Sequence, residues 1–203
     1  MKNENKTLVL DECDYNFKEE KSEKTKSMIL TAMFVALITA GAFIKIPVPV
    51  VPFTLQFLFT MLSGLLLGGK RGFAAVSVYI VLGLAGLPVF AQGGGINYIF
   101  NPSFGYIIGF AIAAFVTGKI ANKDKDPSYK RLLSANFIGL GIVYLFGMGY
   151  YSLISSLYLG DPIGLWPLFL YCFLLAVPGD ILLCILAAYL GKRLIPLRRK
   201  NII

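Results

Sequence analysis

The chain has 203 residues, 57% hydrophobic and only 15% charged, with a mean hydropathy of +0.72. A soluble domain carries about a quarter charged residues, and the uncharged runs here exceed the ~18 residues that suggest a membrane helix, so a soluble fold is excluded. The net charge of +8 sits at the ends of apolar runs, which points to membrane orientation and lipid headgroup contact and away from nucleic acid.

About 27 residues precede the first apolar run, and seven of them are acidic. A signal n-region is short and basic, so Ala40-Gly41-Ala42 does not read as a cleavage site despite its small-x-small pattern. Residues 1–27 are expected to form a mobile cytoplasmic tail without a fold of its own. The first span is predicted from about Met28 to Ile46, followed by a proline-rich link, Pro47-Val48-Pro49-Val50-Val51-Pro52. The second runs from about Thr54 to Gly68 and the third from about Gly72 to Phe90. A loop rich in Gly, Asn and Gln spans Gln92 to Asn101. The fourth span runs from about Pro102 to Ala121, and the fifth, after the polar loop Asn122 to Arg131, from about Leu132 to Tyr158. The sixth, from about Leu165 to Leu190, is interrupted at Pro178-Gly179, where a kink or two half-helices is expected. The fold class is therefore all-α: a six-helix membrane domain over residues 28–195, with a basic cytoplasmic tail at 196–203. The 21 glycines suit such a bundle, since glycine permits close helix approach.

Orientation follows from Lys and Arg. With the amino terminus inside, the tail, Gly69 to Arg71, Lys119 to Arg131 and Lys192 onward hold 18 of the 19 basic residues. Lys45 is the exception. Six spans then put both termini in the cytoplasm. Only two acids fall outside those segments, Asp161 in the outer turn and Asp180 within the sixth stretch. Asp180 lies twelve residues before Lys192, about 18 Å along a helix, in the outer half of a ~30 Å core.

Asp180 is the most informative residue. An intramembrane carboxylate marks a functional site by default, and the end of a half-helix would stabilise it there; the plainer reading is a helix cap. Lys45 reads equally well as a counter-charge for an anionic ligand or as a lysine reaching outer headgroups. Ala32, Ala36 and Ala40 line one side of the first helix and allow close approach of another helix, from this chain or from a partner.

Other chemistry is poorly supplied. Gly64 to Lys70 matches G-x-x-x-x-G-K, but Arg71 replaces the required Ser or Thr and no strand precedes it. The chain is not expected to hydrolyse ATP itself. There is no histidine; Cys13, Cys172 and Cys184 form no CxxC, and the last two are about 18 Å apart on a continuous helix. No disulfide between them, metal site or cofactor is expected. Intramembrane aspartyl proteolysis needs two membrane aspartates, and only Asp180 is available. An enzyme is therefore not expected.

The stretch Ile46-Pro47-Val48-Pro49-Val50-Val51-Pro52-Phe53-Thr54-Leu55-Gln56 resembles the IPxPxVPxTLQ signature of the BioY family, the biotin-specific substrate-binding (S) components of energy-coupling factor (ECF) transporters. Similar motifs follow in the same order at Ser63 to Gly68, Gly86 to Phe90, Pro102 to Phe110 and Pro178-Gly179-Asp180, so the resemblance covers about Ala32 to Arg193. It implies six helices, a vitamin pocket near the outer face of a bacterial cell membrane, and a complex with a transmembrane coupling subunit and two cytoplasmic ATPases. It also assigns Ala32, Ala36 and Ala40 to the contact with the coupling subunit. Many members continue the last motif as Gly-Asp-x-x-Lys, the lysine helping to bind biotin's carboxylate. Here that position is Leu183, and Lys45, the sole external base, is a plausible substitute. Asp180 would accept from the ureido N–H groups. Gln56, Asn97 and Asn101 would offer amides near the outer face, and Tyr98 a ring. The leading expectation is non-enzymatic biotin capture. The alternatives are an S component for a cargo such as lipoate, a secondary transporter titrating Asp180, and a membrane scaffold without a ligand.

Overall fold

Backbone amides that leave water for lipid must be paired within their own segment, and helices do this. The computed structural model describes residues 2–46, 53–124, 126–157, 170 and 176–199. Among the described residues, six helices follow the six predicted segments in order: α1 (Lys2–Phe43), α2 (Gln56–Leu67), α3 (Gly69–Leu84), α4 (Phe104–Ala121), α5 (Tyr129–Leu157) and α6 (Val177–Arg199). A short 3-10 helix, Ile96–Phe100, lies between α3 and α4. Lys21–Phe43, α4 and α5 are long and apolar enough to cross a membrane. The predicted proline link, Asp161 and Cys172 lie outside the described residues.

Several boundaries differ from expectation, each for a physical reason. The first helix begins at Lys2, so the segment expected to have no fold of its own is helical. No proline or glycine occurs between Lys2 and Ala40, and Glu and Lys are good helix formers. At 42 residues α1 is about 63 Å long, roughly twice the hydrocarbon thickness. The third helix stops at Leu84, not Phe90. Gly86 adopts φ 108°, and the chain folds back so that the Gly95 N–H donates to the Gly83 carbonyl at 2.7 Å. Pro178, at the predicted interruption, falls in the first turn of α6, where a missing N–H leaves no helix bond unmade; apart from Leu170, the predicted segment before Ala176 lies outside the described residues. At its other end α6 runs through Pro196 to Arg199, past the predicted end at Leu190 and into the expected tail. The all-α expectation also missed a small antiparallel strand pair, β1 (Lys45–Ile46) with β2 (Phe53–Thr54), in register Lys45 opposite Thr54.

α4 packs on α2, α3 and α5. The second half of its buried face is built of small residues: Ala111, Ala113, Ala114, Thr117, Gly118 and Ala121. A Cβ on Gly64 would overlap the Ala114 carbonyl, and one on Gly118 would overlap the Gly64 carbonyl. Gly68, at φ 85°, makes the turn from α2 into α3. The glycines of the Gly64 to Lys70 motif thus serve close packing and a tight turn.

The charged segments gather at one end of the bundle. There Asn122 Nδ2 donates to the Leu65 carbonyl at 3.1 Å. Lys192 Nζ donates to Asp126 at 2.7 Å and to the Pro127 carbonyl at 3.2 Å, and Arg131 pairs with Asp124. The opposite end carries the strand pair and the 92–101 loop. Leu55 N–H donates to the Ile44 carbonyl at 3.2 Å, and the Tyr150 hydroxyl donates to the Ile99 carbonyl.

Candidate functional site

Asp180 stands in the first turn of α6, and its own N–H donates to the Ala176 carbonyl at 3.1 Å. The free N–H groups expected at a helix break are therefore not supplied by Asp180 itself. Its carboxylate is instead met from α5. The Tyr144 hydroxyl donates to Asp180 Oδ2 at 2.5 Å, a charge-assisted hydrogen bond of the stronger kind. Tyr144 is buried, with the Tyr106 ring edge-on at 6.1 Å and 84°. Gly147 makes room for that ring, since a Cβ there would overlap it. Leu183, where the resemblance leads one to look for a lysine, is 7% exposed and part of the apolar core.

The second group lies in the loop at the strand-pair end. Lys45 is exposed, and its Nζ donates to the Ala91 carbonyl at 2.8 Å. This bond ties β1 to the turn after α3 and uses one of the three ammonium N–H groups. Asn101 is engaged at both ends of its amide. Nδ2 donates to Gln92 Oε1 at 2.7 Å, while Oδ1 accepts from Ser103 N–H at 2.9 Å and Ser103 Oγ at 2.8 Å. The Tyr98 hydroxyl lies 3.1 Å from Ser103 Oγ. Its ring is 7% exposed, packed 4.5 Å from the Phe90 centroid and 6.4 Å from Phe104. Burial pushes the Tyr98 hydroxyl above its ordinary range, so it stays a neutral donor. Asn97 is exposed on the 3-10 helix.

Gln56, the first residue of α2, is 3% exposed, and its Nε2 has no hydrogen-bond partner. It lies beside the Tyr79 hydroxyl, which donates to the Val89 carbonyl at 3.1 Å. A buried amide is costly unless paired, and the Tyr79 oxygen is the neighbour placed to accept from it.

Hydrogen bonds thus join Asp180 to Tyr144 and build a Gln92–Asn101–Ser103–Tyr98 network, while Lys45 is bonded to the Ala91 carbonyl, next to Gln92 in the chain. Sequence reasoning missed Tyr144, Gln92, Ser103 and the fully buried Asn136. Asn136 carried a signal, being an amide inside an apolar span. Tyr144 did not, since an aromatic residue in such a span reads as packing. Ala32, Ala36 and Ala40 are all exposed, while Phe34, Val35, Ile38 and Ala42 form the buried side of α1. Among the described residues, the alanine stripe is therefore not used for packing.

A model described as the BioY family matches residues 14–200. Over 174 residues the chain is 46% identical to a protein of Lysinibacillus sphaericus named as a probable biotin transporter BioY, with 86% of this chain and 89% of that one covered. It is 44% identical over 124 residues to the biotin transporter BioY of Thermotoga maritima, covering 61% of this chain and 72% of that one. Among solved structures it is similar to the S-component for biotin from an ECF-type ABC transporter, with a TM-score of 0.75 at 30% identity over 85% of this chain and 92% of that one. FolT bound with folic acid gives a TM-score of 0.54 at 19% identity over 83% and 94%, a likeness of fold alone. The relatives are named as transporters, not enzymes. The chain belongs to the BioY family.

Proposed function

We propose that this chain is the biotin-capturing S component of an ECF-type vitamin importer in a bacterial cell membrane, and not an enzyme. The observation that carries the reading is a carboxylate held by a tyrosine inside a helix bundle similar to the S-component for biotin. Biotin's ureido N–H groups need an acceptor, and Asp180 is a charged one. Lipoate has no ureido group and would leave that acceptor unused, which favours biotin. The clustering of Arg71-side, Lys119-side and Lys192-side segments at one end supports placing that end, and both termini, in the cytoplasm. Lys45 and the 92–101 loop then face outward, where vitamin arrives. Gln56, Asn97 and Asn101 remain the candidate amides, and Tyr98 supports the loop that carries two of them. A coupling subunit and two ATPases would supply the energy, with lipid around the remaining apolar surface.

Energy coupling tests this directly. Purified alone, the protein should bind biotin and show no ATPase activity. Reconstituted alone in vesicles, it should not concentrate biotin under a proton or sodium gradient. Gradient-driven accumulation by this chain alone would favour a secondary transporter and overturn the proposal.

Lys45→Met tests the carboxylate end. Its ammonium should contribute about 1–3 kcal/mol, as expected for a hydrogen bond to a charged group. Wild type should prefer biotin to biotin amide in a binding titration, and Lys45→Met should bind the two nearly alike. If the variant keeps the full preference for the acid, Lys45 only ties the hairpin to Ala91.

A further inference from the structure

Asn136 lies on α5 two turns before Tyr144 and is 0% exposed. Its Nδ2 donates to the backbone carbonyl of Cys184 at 3.0 Å. Cys184 is one turn after Asp180 on α6, on nearly the same face. Two polar bonds therefore cross the α5–α6 interface at two heights: Tyr144 to Asp180, and Asn136 to Cys184. A single contact leaves a helix free to rotate and slide about it, whereas two at different heights restrain both motions.

The two bonds are not equivalent. The upper one ends on the carboxylate that would accept from ligand, so it must share that acceptor when ligand arrives. The lower one ends on backbone and is untouched by ligand. Asn136 Oδ1 meanwhile has no hydrogen-bond partner. A leucine, with the same side-chain branching, would bring no carbonyl to satisfy. Apolar packing alone therefore does not account for an amide here.

We infer that Asn136 is a positioning residue for ligand recognition, holding α6 at the rotation that presents Asp180 to the ureido end. This rests on the reading of Asp180 as the ureido acceptor. Membrane hydrogen bonds between helices also act as plain adhesion, so the test must separate presentation of Asp180 from general stability.

The experiment measures affinity for biotin, a ureido-N-methylated biotin and biotin amide, in detergent-purified wild type and Asn136→Leu. Wild type should prefer biotin to the N-methylated analogue. In Asn136→Leu affinity for biotin should fall about tenfold, the size expected for coupled neighbouring groups. The N-methylated analogue should lose much less, so that preference narrows. The preference for biotin over its amide, set at the other end of the ligand, should not change. Equal losses for all three ligands would mean that Asn136 only stabilises the bundle, and the inference fails. A wild type indifferent to ureido methylation would overturn the Asp180 reading as well. Asn136→Ser, with a side chain too short for the same bond, gives the same comparison if the leucine variant does not fold.

Discussion

Asp180→Asn should weaken biotin binding by about 1–3 kcal/mol, the cost of losing a charged acceptor in a buried site. In a calorimetric titration that is about a 5- to 150-fold rise in Kd. The substitution keeps the shape of the side chain. Tyr144 can still donate to the amide oxygen, so the α5–α6 contact at this height survives in weaker form. The variant should therefore elute from size exclusion like wild type, with a thermal midpoint lowered by only a few degrees. The loss should be concentrated at the ureido end: a ureido-N-methylated biotin should bind wild type and variant almost equally. Unchanged biotin affinity in a folded Asp180→Asn protein would reduce Asp180 to a helix-start residue held by Tyr144. The ureido acceptor would then have to be sought among Gln56 and the loop amides.

Asp180 was visible in the sequence because charge inside an apolar run is expensive and therefore conspicuous. Its partner was not. Tyr144 lies 36 residues away, in a stretch where tyrosine and phenylalanine alternate with glycine, and nothing local distinguishes it from Tyr150 or Tyr151. The same limit applied to Lys45. Charge sorting set it apart from the other basic residues, but its bond to Ala91 depends on where the chain turns after α3. That turn was misplaced because Gly86 carries a positive φ in the middle of an apolar run, and hydropathy alone continues the helix through it. The order and number of helices were legible, since hydrophobic runs and charge clusters set them. Helix ends were less so. α2 and α3 are 12 and 16 residues long, about 18 and 24 Å, shorter than the ~30 Å that a span is assumed to need. The amino-terminal segment was expected to lack a fold because its charge is high, yet its residues favour helix and the apolar half of α1 gives them a helix to extend.

Ala36→Trp should leave biotin binding by the isolated protein intact while abolishing most transport. Ala36 sits between Ala32 and Ala40 on the exposed side of α1, away from the buried Phe34, Val35 and Ile38. A tryptophan there points away from the described core, so folding and the α5–α6 site should not change. If a coupling subunit packs its helices against this stripe, the indole holds them apart by several ångströms, and overpacking of that kind costs about 1–3 kcal/mol or more. Recovery of the assembled transporter on affinity beads and uptake of labelled biotin by cells should then fall about tenfold or further together. Leu145→Trp provides the control. Leu145 is 72% exposed on α5, and enlarging it tests whether any bulky group on the apolar surface disturbs assembly. The assembly reading requires the two variants to diverge, with Leu145→Trp retaining both complex and uptake. Equal losses would point to a general effect on the membrane-embedded fold. Normal uptake in both would free the alanine stripe from any partner role and leave it as a surface that faces lipid.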